Sequence, residues 1–448
     1  MDFEQMKSVL VAAAERAGLT DYEIYCESEE QVSVETLKDE VSAFSSGKQG
    51  GVCFRCVVDG KLGAASSELL TPEAMEELVA RAVSNAAAID SDDAPEIYAG
   101  SPAYATPEIP APLEPDPAAM KRLALDLQAA TYAASEKVGD GTQSGAMSFS
   151  REISLANSRG LSLSNRVSAA GAFVYATVRD GEEARDAYRV RAGVDPENLS
   201  DLPREAVDRA LAQLGAATVK SGKYAVVFDG EQFRNFLSAF ASVFSAKAAQ
   251  KGLSLLAGKE GEKIAADCVT IIDDPMPVGD PMQTPFDGEG VATSRKCVVE
   301  NGTLKTLLYD LTTAKKAGVA STGNGQRGGY SSPVSISPYH FSISAGTNTR
   351  DDLFAAAGDG IYITSCKGFH AGANEVTGDF SIESDGFRIR GGKRAEPIRS
   401  FTVAGNFFDL LKSIARIGNT VRWAFSGSFT CFGSPDILVP EMSVAGID

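Results

Sequence analysis

Histidine is almost absent from this 448-residue sequence, which contains only His340 and His370. Histidine is the commonest general base and metal ligand near neutral pH. Neither histidine has a glutamate beside it, so the paired imidazoles and carboxylate of an HExxH helix are missing. No GxSxG nucleophile turn occurs, although a lysine-assisted serine nucleophile stays open. We therefore expect that the chain cannot build a histidine-ligated zinc protease site by itself.

Long apolar runs and clusters of basic residues are missing as well. No segment approaches the roughly 20 apolar residues that span a bilayer. The N-terminal apolar run, residues 9–14, is too short for a secretory signal and has acidic residues before and after it. Lys and Arg total 42 against 60 Asp and Glu, a formal charge of -18 that repels phosphate backbones and anionic membranes. We expect a soluble, cytoplasmic protein that binds neither nucleic acid nor a membrane.

Cysteine is too sparse, at seven residues, to form a disulfide framework. Cys53 and Cys56 form one CxxC pair inside a segment that reads as a strand, a turn and a strand. Residues three apart on a strand point to opposite faces, so these two sulfur atoms should diverge. Without a second CxxC or a nearby histidine, the pair is interpreted as structural rather than as half of a zinc ribbon.

The pattern of apolar residues predicts an α+β fold in three domains. Prolines are concentrated in residues 90–117, which marks an extended linker and the clearest boundary. The predicted domains are an N-terminal α+β domain with this linker (1–112), a central α+β domain (113–220) and a mainly β C-terminal domain (221–448). Helices are predicted over 3–17 and from Pro72, Pro117 and Pro203, and strands over 22–28, 31–37, 51–59, 61–67 and from about 143 to 191. The repeated helix–strands–helix order of the first two domains suggests an internal duplication.

The C-terminal domain opens with a strand over 224–228 and then a helix with phenylalanines at spacings of three and four. Phe233, Phe236, Leu237, Phe240 and Phe244 form this stripe, which we interpret as a core face rather than a cofactor slot. Asp59-Gly60 and Asn301-Gly302 are typical hairpin turns.

Two later stretches could hold ligands but are assigned to loops. Asp273, Asp274, Asp280, Asp287 and Glu289 supply oxygen donors for a hard cation, but their spacing fits no calcium loop. The prolines among them predict a solvated surface loop. The glycine-rich residues 321–329 lack the Lys-Ser/Thr of a phosphate loop and are predicted to form a flexible hairpin or lid.

Residues 366–393 are the most distinctive part of the sequence. Gly368, Gly372 and Gly378 mark places where the backbone bends or approaches another group, and polar His370, Asn374 and Asp379 are interleaved with them. A hairpin turning at Asp385-Gly386 is expected to follow. A peptide-binding or cavity-lining surface and a structural set of loops fit this pattern equally well.

Three motifs resemble the PmbA/TldD family, also called modulators of DNA gyrase. They are GFHAGANEVTGDFSI (368–382), TPFDGEGVATSRKCVVENGTLKTLLYDLTTAKKAG (284–318) and GSPDILVPEMSVAG (433–446). YEIYCESEEQVSVETLKDEV and GGVCFRCVVDGKLGAASS resemble the family's first domain, so the similarity covers essentially the whole chain. It is strongest to the PmbA/TldE-type branch.

The resemblance implies a cytosolic two-subunit metalloprotease acting on unfolded or short peptides, such as a microcin precursor or an antitoxin. The TldD-type subunit carries an HExxxH zinc helix and a later cysteine ligand, which the TldE type lacks. Placed on this sequence, the HExxxH positions read Leu237, Ser238 and Ser242, and the cysteine position falls near Val421, with Cys431 close by. Zinc needs three protein donors, so the resemblance implies zinc on the partner and none on this chain. His340 departs from the family's commoner Asn.

Three functions remain open on the sequence. The chain is a non-catalytic partner in a heterodimer with a TldD-type subunit, a stand-alone peptide-binding homodimer, or a metal-independent hydrolase with His370 as its base. The first follows most directly from the resemblance.

Overall fold

The computed structural model describes residues 1–89, 93, 95–108, 116–425 and 428–447. The predicted boundary between residues 112 and 113 lies outside these ranges. In the first two domains the helices are α1 (Phe3–Arg16), α2 (Pro72–Ala88), α3 (Pro117–Ala133), α4 (Pro196–Leu199) and α5 (Leu202–Leu211), and the strands are β1 (Tyr22–Leu37), β2 (Glu40–Val58), β3 (Lys61–Ser67), β4 (Gln143–Asn157), β5 (Ser162–Asp180) and β6 (Glu183–Ala192). The predicted α+β class is confirmed.

Helices α2 and α3 begin at Pro72 and Pro117, as predicted. Thr71 accepts a hydrogen bond from Ala74 N and Pro72 occupies the first turn of α2, whereas Asp116 caps α3 in front of Pro117. The buried side of α2 consists of Met75, Leu78, Val79, Ala82 and Ala86.

One antiparallel sheet joins the first two predicted domains. Its order is β3-β2-β1-β4-β5-β6 in the described chain, and β1 pairs with β4 from Glu23–Asn157 to Leu37–Gln143. The order is symmetric about the β1–β4 pair, with α1 and α2 on one half and α3 and α5 on the other, which agrees with the duplication read from the sequence. The prediction of separate strands over 22–28 and 31–37 is wrong, because both belong to β1. β1 pairs along its length with β2 on one side and β4 on the other, and this pairing keeps its polar middle extended.

The described C-terminal part contains helices, two further six-stranded sheets and a two-stranded sheet. Its helices are α6 (Gly230–Ala239), α7 (Ala246–Gln250), α8 (Leu311–Ala317), α9 (Arg350–Ala357), α10 (Phe369–Gly372) and α11 (Phe407–Ser413), and its strands are β7 (Gly222–Phe228), β8 (Ile271–Asp274), β9 (Lys296–Glu300), β10 (Thr303–Leu304), β11 (Gly325–Arg327), β12 (Val334–Ile336), β13 (His340–Ile343), β14 (Gly360–Lys367), β15 (Asp379–Arg390), β16 (Lys393–Asn406), β17 (Arg416–Ile417), β18 (Arg422–Trp423), β19 (Cys431–Ser434) and β20 (Ile437–Ala445). The two-stranded sheet is formed by β11 and β12, and the six-stranded sheets have the orders β10-β9-β8-β13-β19-β18 and β16-β15-β14-β7-β20-β17. Phenylalanines of α6 belong to the large core that the two sheets share.

Two of the three predicted hairpin turns are confirmed. Asp59-Gly60 and Asn301-Gly302 both have positive φ at the two turn positions. The prediction of a turn at Asp385-Gly386 is wrong, because β15 runs through these residues and the hairpin closes at Gly391-Gly392. Gly386 lies at a bulge instead, where a Cβ atom would be 2.0 Å from Tyr362 O.

Burial corrects two further predictions. The prediction that the acidic stretch forms a solvated loop is wrong, because Asp273, Asp287 and Glu289 are buried, with exposed fractions of 0%, 2% and 6%. The 321–329 stretch is no flexible lid, because Asn324 and Arg327 are buried and Asn324 Nδ2 donates to Asp273 at 2.8 Å. Both loops supply polar groups that satisfy each other inside the protein.

The CxxC interpretation agrees with the structure, because Cys53 and Cys56 pack in different clusters on opposite faces of the first sheet. None of the helices in the described part of the chain combines the length and the apolar character that crossing a bilayer requires.

Candidate functional site

Helix α6 separates a core face from an outward face. Phe233, Phe236 and Leu237 are fully buried, whereas Ser238 is exposed on the other side. The prediction that one helix carries the whole stripe from Phe233 to Phe244 is wrong: α6 ends at Ala239, and a 3-10 turn, Ala241–Phe244, follows. Ser245 then caps α7. The turn buries Val243 and Phe244 and leaves Ser242 exposed. The predicted stripe is thus a core face, as expected.

The three positions aligned with the HExxxH motif do not share a surface. Leu237 lies in the core, and only Ser238 and Ser242 face outward. The structure brings Ser242 next to the distinctive 366–393 stretch, because its hydroxyl donates to the carboxylate of Glu375. The ring of Phe369 packs edge-on against Phe236, with centroids 4.9 Å apart. Two regions singled out separately in the sequence therefore form one surface, which we call the α6 face: Arg234, Ser238, Ser242 and residues 369–379.

The polar residues predicted in the loop lie on this surface. His370, Asn374 and Asp379 are all exposed. Asn374 Oδ1 accepts hydrogen bonds from Val376 N and Thr377 N at 3.0 and 3.1 Å, which fixes the turn. Hydrogen bonds from Asn406 and Thr377 lower the pKa of Asp379. Two of these side chains therefore shape the loop itself, while their contact with substrate stays a prediction.

The three predicted glycines have backbone roles. Gly368 and Gly378 adopt φ of 81° and 82°, a region that side chains disfavour. A Cβ atom on Gly372 would be 2.3 Å from Ser381 O. They hold α10 tightly against β15.

The donor set on the α6 face does not fit zinc. Zinc in proteins takes at least three thiolate, imidazole or carboxylate ligands, and the aligned positions offer a buried alkyl group and two hydroxyls. Glu375 adds one carboxylate. In the described ranges no group of three His, Cys, Asp or Glu side chains is placed to hold a metal ion. Cys431 is buried on β19, where burial and then Asp280 raise the pKa of its thiol to about 12, so it remains protonated.

Two cavities flank the outward side of α6. One, of about 560 Å³, is lined by Arg234, Tyr188 and Trp423 among others. The other, of about 290 Å³, is lined by Gln232, Asn235 and neighbouring polar groups. Glu231 lies between them and bridges Arg189 and Arg209 at 2.6 and 2.9 Å. Burial opposes its ionisation, but Arg209 and Arg189 lower its pKa to about 2.

A buried charged joint connects the first sheet to the C-terminal part. It consists of Glu23, Arg55, Asp287, Glu289 and Arg327. Glu23 lies 2.9 Å from Arg55 and forms a second ion pair with Arg327. Asp287 accepts backbone hydrogen bonds from Glu289, Val291 and Gly325, and Glu289 accepts one from Leu311 N. The joint borders a cavity of about 930 Å³.

Sequence analysis missed this joint. Burial raises the pKa of both Asp287 and Glu289, and the charge of Asp287 raises that of Glu289 further. The sequence signal for this burial is a glycine on each side of Glu289. A Cβ atom on Gly288 would be 2.8 Å from the Arg327 side chain, and a Cβ atom on Gly290 would be 2.6 Å from the Leu161 side chain. Such close approaches require glycine and place the two carboxylates inside the protein.

Comparison with known domain families identifies three consecutive matches. The PmbA/TldA metallopeptidase domain 1 matches residues 22–86, the central domain matches 110–214 and the C-terminal domain matches 221–446. The last of these alone covers half of the chain.

Relatives align over nearly the full length. An uncharacterised protein of Methanocaldococcus jannaschii is 30% identical, covering 92% of this chain and 94% of its own. Metalloprotease PmbA of Escherichia coli O157:H7 is 26% identical, and the match covers 93% of this chain and 90% of that protein. A Thermotoga maritima crystal structure, of a protein proposed to modulate a DNA gyrase, superposes with a TM-score of 0.88 at 29% identity and covers 99% and 100% of the two chains. TldE of Thermococcus kodakarensis shares the fold, with a TM-score of 0.88 at 21% identity over 98% and 100%.

Proposed function

The chain belongs to the PmbA/TldD family of metallopeptidases, and we propose that it is a TldE-type subunit without a zinc site of its own. The carrying observation is the side-chain content of the α6 face. Leu237 is buried in the core, and the two outward positions, Ser238 and Ser242, carry hydroxyls. Neutral hydroxyls without thiolates or imidazoles bind zinc poorly. The zinc of the complex would therefore be held by a TldD-type partner.

In this role the chain shapes the cavity and binds peptide. The α6 face offers exposed hydroxyls, the Glu375 carboxylate and two adjoining cavities, and Gly368, Gly372 and Gly378 let the loop approach it closely. Short or unfolded peptides expose the backbone and side chains that such a surface can bind. A cytoplasmic location is part of the proposal, since the acidic composition and the seven scattered cysteines suit a reducing compartment.

Two other functions are tested alongside it. A peptide-binding homodimer needs the same α6 face but no TldD-type subunit. A metal-independent hydrolase needs an oriented base, and His370 is exposed without a hydrogen-bond partner among the described residues. That environment argues against the hydrolase.

The test combines binding with cleavage. The chain is purified alone, the TldD-type protein of the same host alone, and the two together, and cleavage of an unstructured peptide is followed in each. We expect a stable complex, no cleavage by this chain, and faster cleavage by the pair than by the partner alone. No complex and unchanged cleavage by the partner would refute the proposal. Cleavage by this chain alone that His370→Ala abolishes would favour the hydrolase.

A further inference from the structure

The 560 Å³ cavity beside α6 lies between the central domain and the C-terminal domain. One wall is the edge of the first sheet, with Tyr188 and Arg189 on β6. The opposite wall carries Arg234 from α6 and Trp423 from β18. Cavities of this size accommodate an amino-acid residue or a small ligand. The walls carry aromatic rings and arginines, and the carboxylates of Glu231 and Asp280 also line the cavity.

Arg234 differs from the other arginines of this cavity. Arg189 is paired with Glu205 and Glu231, and Arg191 is paired with Asp201 and Glu205. Within the described ranges, by contrast, no carboxylate lies within ion-pairing distance of Arg234.

Among the described residues, the Arg234 guanidinium donates hydrogen bonds only through Nη1, to Trp423 O and, at 3.5 Å, to Arg422 O. A guanidinium has five N–H donors, so most of them have no protein acceptor in the described chain. Burial lowers the pKa of Arg234, and the nearby charges of Glu231 and Asp229 offset this only in part.

The apolar side of the cavity is held rigidly. Trp423, 41% exposed, packs so closely on Gly433 that a Cβ atom there would be 2.6 Å from its ring. The Trp423 ring also lies edge-on to the His340 ring, with centroids 5.5 Å apart. Phe425 rests in the same way on Gly171, with a Cβ separation of 2.5 Å. Tyr188, 50% exposed, faces the same space. Exposed aromatic rings in fixed positions are typical of binding sites.

We propose that this cavity binds the C-terminal residue of a peptide, with its free carboxylate on Arg234 and its apolar side chain against Trp423 and Phe425. An open guanidinium next to fixed rings matches a group that carries a carboxylate and an apolar side chain on the same carbon, as a peptide C-terminus does. An acidic side chain inside a peptide presents a carboxylate without that adjacent apolar group. The inference rests on the peptide-binding role proposed above and specifies which end of the peptide is recognised.

Trp423 is the only tryptophan of the chain, so its fluorescence reports on this cavity directly. The full chain is titrated with three short peptides: one that ends in phenylalanine with a free carboxylate, the same peptide as its C-terminal amide, and an amidated peptide with an internal glutamate. We expect a saturable change with the free acid and binding about tenfold weaker or more for the two amidated peptides, because an arginine–carboxylate bond is lost. Equal binding of acid and amide, or of the internal-glutamate peptide, overturns the proposal.

The matched variants are Arg234→Gln and Arg204→Gln. Arg204 lies on α5, is exposed and forms a surface ion pair with Asp208. Arg234→Gln should remove the preference for the free acid, and Arg204→Gln should retain it; a preference that survives Arg234→Gln contradicts the assignment. If Arg234→Gln fails to fold, the acid–amide comparison on the unchanged chain decides. A chain that forms the TldD-type complex but shows no acid preference overturns this inference alone, whereas loss of the complex overturns the proposed function.

Discussion

Phe240 directly follows α6 as its C-cap and stacks on Phe407, with ring centroids 4.5 Å apart and an angle of 11° between the planes. It is fully buried. The residue belongs to the aromatic stripe of this segment, which our proposal aligns with the zinc helix of a TldD-type subunit. Offset ring pairs of this kind stabilise beyond the area that they bury.

Phe240→Ala should destabilise the protein by about 3–5 kcal/mol, because it leaves a cavity in a core that cannot easily collapse. Urea unfolding followed by circular dichroism measures the change. The control is Phe44→Ala, the same change at a ring that is 44% exposed and contacts Lys121. It should cost about 1 kcal/mol or less. Equal losses for the two variants would show that Phe240 does not act through the core.

Single residues also show where sequence reasoning reached its limit. The buried stripe of α6 was predictable because spacings of three and four identify one helix face without any distant contact. The burial of Asp287 and Glu289 was not, because it depends on Glu23, Arg55 and Arg327 from remote parts of the chain. Local composition with prolines pointed to solvent, and only the tertiary arrangement reverses it.

Among hairpins and loops, too, the local sequence predicts some features, and others depend on contacts with distant parts of the chain. Asp59-Gly60 and Asn301-Gly302 turn as predicted, since both residues adopt the positive φ that the turn needs. Asp385-Gly386 is the same dipeptide as Asp59-Gly60, but pairing with β14 on one side and β16 on the other holds it in strand β15. Gly386 serves close approach there, so the dipeptide alone could not distinguish a turn from a bulge. The loop around α10 likewise depends on long-range contacts with α6.

Gly372→Ala tests whether the loop depends on close packing of α10 on β15. The added Cβ atom meets Ser381 O at 2.3 Å, so we expect a loss of about 1–3 kcal/mol in stability from overpacking. Thermal unfolding measures it. Gly47→Ala on β2 is the matched control, since nothing lies within 4 Å and no positive φ is required there. A Gly372→Ala protein as stable as the control would mean that the loop shifts freely.

His370→Ala should leave the stability within about 0.5 kcal/mol, because the side chain is exposed. If the α6 face binds substrate, the same variant should weaken peptide binding while the melting temperature stays unchanged. Both are measured on the same preparation, by thermal unfolding and by peptide titration. Unaltered binding would remove His370 from the proposed surface and leave its loop a structural role.

At the scale of the whole molecule, the charged joint fixes the first sheet to the C-terminal part. Two arginines face three carboxylates in a buried setting, so one acid is favoured in its protonated form. The folded state therefore binds more protons at Asp287 and Glu289 than the unfolded state above the ordinary carboxyl range of about 4. Stability from these groups is fully present below that range and is lost as the pH rises toward and past neutrality.

Glu289→Gln should flatten this pH dependence, because an amide imitates the protonated acid and can still accept the hydrogen bond of Leu311 N. Urea midpoints at several values between about pH 5 and 8 measure the slope. The control is Glu441→Gln, at a carboxylate that is 65% exposed in a surface pair with Lys223. It should keep the slope of the unchanged chain. An unchanged slope in Glu289→Gln would show that this carboxyl is ionised throughout.

Zinc content tests the central claim, which is that the chain lacks a zinc site of its own because Leu237 and Ser238 of α6 and Ser242 of the following 3-10 turn stand at the motif positions. The purified full-length chain is incubated with zinc, dialysed and analysed for metal, and the TldD-type protein of the same host is treated in parallel. The account predicts far less than one zinc per chain here and a stoichiometric ion in the partner. Stoichiometric zinc that stays bound to this chain through dialysis would contradict it.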